Sequence, residues 1–445
     1  MRTGGLLACL TLILSFLAAA CDRPFVDVAS PTIEVIAPDP GLVLQEAEQT
    51  IVLRASSFRS VDRIELGGRV FERDGEAFSL PVTLQPGMNR LVISAFDTEE
   101  VAGVDTLEYL LLPTRVEVAS SVWPSPRGGH TATQLPLGDI IIAGGAPAVS
   151  ESASPHISVI RVGSTDVRRA DVDLLHARMG HTASMLPDGR ILFAGGTRGP
   201  GLHAVSDLVE TPEIYDPVAG TVSALTVSGD PIRRAFHTAT LTTTSEGPVL
   251  ALLGGTGDVL YRPEPELGIR RDIRFFLLSG NRLEALSPAV GPFIEALTGH
   301  TQTFLARQPP GTPTRQLVSG AIFLNGRVEA HSFVIDPRDA RGLILEDELN
   351  PPILRTEHAA VQAAPGRVLR IAGLTGENTP PDDTMDLFED ALGRFLSFGS
   401  ADRVKVQARH LFTATNLDAG RILLLGGFRQ DGTATGTLEF VLFDP

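Results

Sequence analysis

A short phrase recurs six times in the last three-quarters of the chain, and this recurrence limits the possible folds more than any other feature of the sequence. Its clearest copies read Arg127-Gly-Gly-His130 and Arg178-Met-Gly-His181. The fourth residue of the phrase recurs at intervals of 51 to 63 residues, at His130, His181, His237, His300, His358 and Phe412. A repeat of this length indicates one supersecondary unit that buries its apolar surface against copies of itself.

Two further phrases follow the first in a fixed order. An apolar strand ends in paired glycines, as in Gly189-Arg-Ile-Leu-Phe-Ala-Gly-Gly196, and a later strand ends near Tyr215-Asp-Pro217. The fourth and fifth repeats keep only one of the paired glycines. This order resembles the kelch repeat, whose unit is a four-stranded blade. The resemblance implies a six-bladed kelch-type β-propeller over residues 114–445, in which stacking in a ring covers both faces of each blade.

The two ends of the repeated region predict how such a ring closes. The sixth repeat stops at Asp444-Pro445, after its third strand, and lacks a fourth strand of its own. Residues 114–121 precede the first repeat and belong to no blade. We therefore expect residues 115–122 to pair with residues 436–443, because this pairing completes the last blade and closes the ring with an N-terminal strand.

The segment before the repeats has the pattern of a second all-β domain. Residues 32–36 alternate polar and apolar side chains, as a half-buried strand does, and similar runs follow between turn residues. About seven short strands over residues 31–113 suit an Ig-like β-sandwich. The run from Leu84 to Asp97 resembles bacterial Ig-like modules found beside extracellular enzymes and adhesins. That resemblance implies a spacer or docking domain.

The first twenty residues have the features of an export signal. Arg2 precedes an apolar run of about fifteen residues, which suits the core of a signal peptide. The run ends Leu17-Ala-Ala-Ala20 before Cys21, and this resembles the bacterial lipoprotein box. The resemblance implies a signal peptide at 1–20, a lipid-bearing Cys21, and a tether at 21–30. The chain is then anchored to a bacterial membrane on its periplasmic or cell-surface side, whereas an ordinary secretory signal is the alternative.

Charge and residue types exclude several kinds of partner. The formal net charge is −16 without a basic run to offset it, so phosphate backbones repel the surface and we expect no nucleic-acid partner. Removal of the signal takes Cys9 with it and leaves Cys21 acylated, which leaves no thiol for a disulfide or a metal. The phrase histidines are spread around a ring, so we expect no metal site and no cofactor.

Candidate ligand-binding residues follow from the expected ring. By analogy with other propellers, the recurring phrase and the loop after the paired glycines lie on one face, around the mouth of the central channel. Arginines recur in the phrase, and a ring of them would bind an anionic sugar or carboxylate, unless each has the same structural role in its own blade. The candidates are Arg127, Arg178, Arg234, Arg355 and Arg409 from the phrase, with Arg198, His203, Asp258, Tyr261 and Arg262 from the loops.

Two functions remain open at this point. The first is a binding module that displays the ring face to a glycan or a protein at the cell envelope. The second is a carbohydrate-active enzyme. A copper site like that of galactose oxidase needs a cysteine-linked tyrosine, and the mature chain offers no cysteine except Cys21. Similarity to sialic-acid mutarotases implies acid–base side chains, for which Glu357 is the one candidate, without an identified partner.

Overall fold

A computed structural model of the chain describes most residues from position 30 onward. The described ranges are 30–200, 204–258, 267–290, 297–305, 315–324, 327–335, 344–346, 349–376, 378–398, 404–418 and 420–443. Strands dominate these ranges, which include a short 3₁₀ turn at Val205–Asp207 and contain no α-helix, so the predicted all-β class is confirmed. The expected signal peptide, Cys21 and the tether up to residue 29 lie outside the described residues.

Over the part of the chain that the structure describes, no helix has the length and apolar character needed to cross a bilayer.

The chain divides into two compact units. The first contains the described residues up to Pro40, together with residues 48–84 and 89–108. The second contains residues 41–47, residues 85–88 and the chain from Tyr109 onward.

Eight strands occupy the described residues before position 112. They form a three-stranded sheet of order β1-β3-β6 and a five-stranded sheet of order β2-β8-β7-β4-β5. Alternate residues of β3 and β6 are buried, including Ile51, Leu53 and Leu80, because successive side chains of a strand point to opposite faces. The strands are β1 (Thr32–Ala37), β2 (Val43–Leu44), β3 (Glu48–Ser56), β4 (Val61–Leu66), β5 (Arg69–Glu72), β6 (Phe78–Thr83), β7 (Gly87–Asp97) and β8 (Ala102–Leu111).

In the described part of the second unit, six main sheets follow one another along the chain. The first, second and sixth of these sheets have four strands each, in the orders β10-β11-β12-β13, β14-β15-β16-β17 and β34-β35-β36-β9. Their strands are β9 (Thr114–Val122), β10 (Thr131–Gln134), β11 (Ile140–Ala143), β12 (His156–Ile160), β13 (Val167–Asp173), β14 (Thr182–Met185), β15 (Ile191–Ala194), β16 (Glu213–Asp216), β17 (Thr221–Ala224), β34 (Thr413–Asp418), β35 (Arg421–Leu425) and β36 (Thr437–Phe443).

The third to fifth sheets lie between these in the sequence. Their orders are β18-β25-β24-β21-β20, β26-β27-β28-β29 and β30-β31-β32-β33, and β19-β22-β23 form a small separate sheet. The strands are β18 (Thr226–Ser228), β19 (Arg234–Ala235), β20 (Thr238–Thr244), β21 (Gly247–Leu253), β22 (Thr256–Asp258), β23 (Leu267–Ile269), β24 (Ile273–Ser279), β25 (Arg282–Val290), β26 (Thr301–Phe304), β27 (Gln316–Leu324), β28 (Arg327–Ile335), β29 (Ile344–Glu346), β30 (Ala359–Ala364), β31 (Arg367–Leu374), β32 (Pro381–Glu389) and β33 (Arg394–Ser397).

The third sheet departs from the four-strand expectation. The extra strand β18 pairs in parallel with β25. Strands β22 and β23 lie in the loop after the paired glycines, and β22 pairs with β19, which belongs to the recurring phrase. The third repeat has the longest interval, 63 residues from His237 to His300, and this length accommodates β22 and β23.

Each sheet packs against the next through apolar side chains of its inner strands. The strands that open the six sheets contact one another in cyclic order, β10, β14, β20, β26, β30, β34 and again β10. An apolar cluster fills each of the six junctions. All four residues of β11 and of β15 are buried, because neighbouring sheets cover both of their faces.

The predicted pairing of the two ends is confirmed. Strand β9 lies antiparallel to β36, with Arg115 opposite Leu442 and Val122 opposite Thr437. The sixth sheet therefore takes its fourth strand from the chain segment that precedes the first sheet. Trp123, which follows β9, is 2% exposed in the apolar cluster between the sixth and first sheets.

Candidate functional site

The third residue of the recurring phrase has the same backbone conformation in all six repeats. Each copy lies in the left-handed region, with φ between 51° and 67°, two residues before the strand that opens its sheet. Each backbone N–H donates to the carbonyl oxygen of its counterpart in the preceding sheet, over 2.7 to 3.0 Å. The circle runs through Gly129, Gly180, Phe236, Gly299, Glu357 and Leu411, and it closes because Gly129 donates to Leu411.

Three members of this circle are not glycines. Phe236, Glu357 and Leu411 have φ values of 56°, 53° and 51°. Glycine adopts such angles without a steric penalty, whereas a residue with a larger side chain is strained there by about 1 to 3 kcal/mol. The left-handed conformation at these positions follows from the circle of hydrogen bonds, so the chain carries three side chains at a place where the backbone favours glycine. Strain of this kind clusters at binding and catalytic sites.

The fourth residue of the phrase links neighbouring opening strands. At five junctions a histidine Nε2 lies 3.0 to 3.3 Å from a threonine Oγ1 on the adjacent opening strand. At the sixth junction, Phe412 stands where the histidine is expected and Ala359 where the threonine is expected, and both are buried. The bonded pairs are His130 with Thr413, His181 with Thr131, His237 with Thr182, His300 with Thr238, and His358 with Thr301.

Burial keeps four of these imidazoles neutral. It lowers the pKa of His130 to about 3, and the positive charge of Arg127 acts in the same direction. Burial, followed by the charge of a nearby arginine, also lowers the pKa of His181, His237 and His358 well below the ordinary value. The described ranges contain no group of three side chains able to hold a metal ion.

The phrase arginines lie inside the sheets. All five are at most 3% exposed. Four of them donate from Nη1 to the carbonyl of the first paired-glycine position, over 2.9 to 3.2 Å, and also reach a carboxylate of their own sheet. These four pairs are Arg178 with Glu213, Arg234 with Asp272, Arg355 with Asp386, and Arg409 with Glu439. Arg127 instead donates to Ser158 and stacks over Trp123.

The fourth sheet lacks both partners of this pair. Leu297 replaces the arginine and is 2% exposed. Leu317 lies three residues before the second glycine position of its repeat, and Val334 lies opposite it. In the second sheet, the residue at the same position is Phe193, and Glu213 lies opposite it, so Val334 replaces the carboxylate. The buried ion pair is thus replaced here by two apolar side chains.

A small cavity opens at the circle of hydrogen bonds. Its walls are the third and fourth residues of the phrase from all six sheets, and its volume is about 130 Å³. Among these lining residues, Glu357 is the one that carries an acidic side chain, and the phrase arginines are not part of the wall. The cavity is smaller than the roughly 300 to 1,000 Å³ of pockets that enclose a drug-sized ligand.

Glu357 has a partner that the sequence did not reveal. Its Oε2 accepts a hydrogen bond from Nδ1 of His410 over 2.6 Å, with the two side chains 27% and 13% exposed. The His410 ring in turn lies 5.6 Å from the ring of Phe428, which is fully buried. This packing orients the imidazole toward the carboxylate, and the pair can bind a polar group or exchange a proton.

Sequence reasoning missed three residues at this site. All three lie within the recurring phrase: Phe236 at the third position of the third copy, and His410 and Leu411 at the second and third positions of the sixth copy. The sequence contained one indication of the third-position residues: three of the six copies of the phrase carry glycine at that position and the other three carry a larger residue.

The remaining candidates lie apart from the cavity or outside the described residues. Arg198 is exposed and donates to the carbonyl of Leu208 over 3.4 Å. Asp258 ends strand β22. His203, Tyr261 and Arg262 lie outside the described residues, as does Cys21.

Comparison with known proteins adds no relative. No protein-family model matches the sequence, and a search of curated proteins finds none with significant similarity.

Proposed function

We propose that the six sheets are the blades of a kelch-type β-propeller, with β9 as the closing strand and the strands before residue 112 as an Ig-like sandwich. The sixfold phrase, the cyclic contacts between opening strands and the circle of backbone hydrogen bonds support this proposal. The alternation of buried and exposed residues in β3 and β6 supports the sandwich.

Export and lipid anchoring form part of the same proposal. The support is the apolar run that ends at Ala20, followed by Cys21. Two or three acyl chains would hold the protein firmly at the membrane. Labelling of growing bacteria with radioactive palmitate tests this: the protein should take up label, and Cys21→Ser should take up none. Equal labelling of both would rule out this attachment point.

The central proposal concerns the cavity. We propose that the protein is a binding module, and that the cavity face recognises a group projecting from a glycan or protein partner at the cell envelope. The observation that carries it is the placement of Phe236, Glu357 and Leu411 at left-handed positions around the cavity. A cavity of about 130 Å³ suits the tip of a larger ligand better than a whole small molecule.

Removal of these side chains tests the binding proposal. Phe236→Gly and Leu411→Gly suit the local backbone and strip the cavity wall. We expect at least a tenfold loss of binding to whichever glycans or envelope proteins the wild-type protein selects from an array. The matched control is Ala372→Gly, which changes another non-glycine residue at positive φ, away from the cavity wall. Unchanged binding by both cavity variants would refute the proposal.

One observation favours a second function. The hydrogen bond between Glu357 and His410 is an arrangement that also serves acid–base chemistry on a sugar ring. Mutarotation of sialic acid by the purified protein, lost in Glu357→Gln, would establish this activity. Binding of arrayed glycans without any turnover would instead support the binding module alone.

A further inference from the structure

We infer that the cavity receives a primary ammonium group, an inference that rests on the proposed binding function. The recurring arginines had suggested an anionic ligand. The charges at the cavity have the opposite sign.

The electrostatics of the wall favour a cation. Glu357 supplies the carboxylate, and four of the five phrase histidines are neutral because burial and nearby arginines lower their pKa. The arginines of the phrase lie within the sheets, and four of them are matched by carboxylates. An anion at the cavity would meet Glu357 without a compensating cation in the wall.

The geometry of Glu357 favours an ammonium group over a guanidinium. Its Oε2 is occupied by His410, and within the described residues its Oε1 accepts no hydrogen bond. A guanidinium binds best in a fork that uses both carboxylate oxygens, whereas an ammonium is a compact charge that can pair with one oxygen and direct its other N–H groups to water or other acceptors. The remaining oxygen of Glu357 therefore suits an ammonium.

The rest of the wall suits the carbon chain behind such a charge. Phe236 and Leu411 pack against an apolar cluster that includes Met179 and Phe428. A Cβ placed on Gly180 would lie 2.7 Å from the ring of Phe236, so this ring covers the neighbouring glycine and forms part of the rim. Aromatic faces attract ammonium groups, and aliphatic side chains pack against methylenes.

Two sources present a primary ammonium at an envelope surface: a lysine side chain of a protein and an amino sugar of a glycan. Saturation-transfer NMR on the intact protein distinguishes them with Nα-acetyl-lysine methylamide and glucosamine as probes. The Nε-acetylated lysine compound and N-acetylglucosamine are the matched neutral controls, because acetylation removes the charge and keeps the carbon skeleton.

At least one free amine should bind at least fivefold more tightly than its acetylated control. Glu357→Gln should abolish this preference, since it removes the charge and keeps the shape. Glu151→Gln is the control variant, because Glu151 is an exposed carboxylate away from the cavity wall, and it should retain the preference. Preference for the lysine probe alone indicates a protein partner, and preference for glucosamine alone indicates a glycan.

Equal binding of free and acetylated probes, absence of binding by both amines, or a preference that survives Glu357→Gln would overturn the inference. These results are separable from failure of the binding proposal. If Phe236→Gly weakens binding to the arrayed partner but the amine preference is absent, the ammonium assignment alone is wrong. If the glycine variants leave partner binding unchanged, the cavity is not the recognition site and both proposals fail.

Discussion

The buried ion pair of the sixth sheet provides a quantitative test of why arginine recurs in the phrase. Arg409 is fully buried, donates to the carbonyl of Gly426 over 3.2 Å and pairs with Glu439, which is 4% exposed. Burial lowers the pKa of Arg409, and the charge of Glu439 opposes this shift. If the arginine serves its own sheet, each partner depends on the other, and a double-mutant cycle will show strong coupling.

The expected magnitudes follow from these contacts. Arg409→Leu leaves the Glu439 carboxylate buried with the backbone N–H of Gln407 as its remaining donor, at a cost of about 3 to 5 kcal/mol. Glu439→Val leaves an uncompensated guanidinium and should cost a similar amount. The double variant removes both charges but leaves the Gln407 N–H and the carbonyls that accept from Arg409 without these partners, so we expect it to cost about as much as one single change. The coupling energy is then about 3 kcal/mol or more.

The assay uses the single tryptophan of the chain. Trp123 is buried between the sixth and first sheets, so its emission will shift to longer wavelength when this junction opens in urea. The control is Arg421→Leu, because Arg421 is exposed in the same sheet, over the ring of Phe440, and its loss should change stability by less than about 0.5 kcal/mol. Additive costs for Arg409→Leu and Glu439→Val, or a negligible cost for Arg409→Leu, would refute the structural role of the arginine.

Acid should destabilise the second unit. The buried histidines with lowered pKa stay neutral in the folded protein, whereas in the unfolded chain they bind protons below about pH 6.5. The free energy of unfolding therefore falls below that pH by about 1.4 kcal/mol per pH unit for each histidine, until the pH reaches the histidine's folded pKa. The double variant His358→Phe, Thr301→Ala copies the natural pairing of Phe412 with Ala359 at the sixth junction. It should reduce the slope of unfolding free energy against pH by the contribution of one histidine, measured in urea titrations from pH 7 to 5. An unchanged slope would show that His358 is not neutral and buried as described. Gly144→Ala should destabilise the protein by at least about 2 kcal/mol more than Gly189→Ala. Both glycines have positive φ, so the backbone strain is shared. An added Cβ at position 144 would lie 2.4 Å from the Arg178 carbonyl oxygen, whereas one at position 189 would meet nothing within 4 Å. Equal thermal shifts for the two glycine variants would show that the close approach has no effect.

The sequence predicted those features that depend on spacing along the chain. The all-β class and the pairing of residues 115–122 with the last strand followed from the repeat interval and from a strand missing at one end. The extra strand β18 was not predicted, because Thr226–Ser228 is short and pairs in parallel with β25 more than fifty residues away. The contact of Glu357 with His410 was also missed, since these residues are 53 positions apart and meet where two neighbouring repeats adjoin.

Departures from the repeat divide into two groups, and this division separates structure from function. Inside the sheets they occur in matched pairs: Phe412 accompanies Ala359 at the junction without a histidine, and Leu297 accompanies Val334 in the sheet without an ion pair. A matched replacement preserves packing and leaves no polar group unsatisfied, so each pair is explained by stability alone.

The departures at the cavity follow a different rule. Phe236, Glu357 and Leu411 each add a side chain to a backbone that favours glycine, while the hydrogen bonds of the circle remain the same in all six repeats. Phe236 and Leu411 pack against an apolar cluster, and Glu357 accepts a hydrogen bond from His410. The glycines of the other three repeats make the same backbone hydrogen bonds without a side chain, so the circle itself does not require these residues. For side chains in the wall of an open cavity, the benefit that we propose is contact with a ligand.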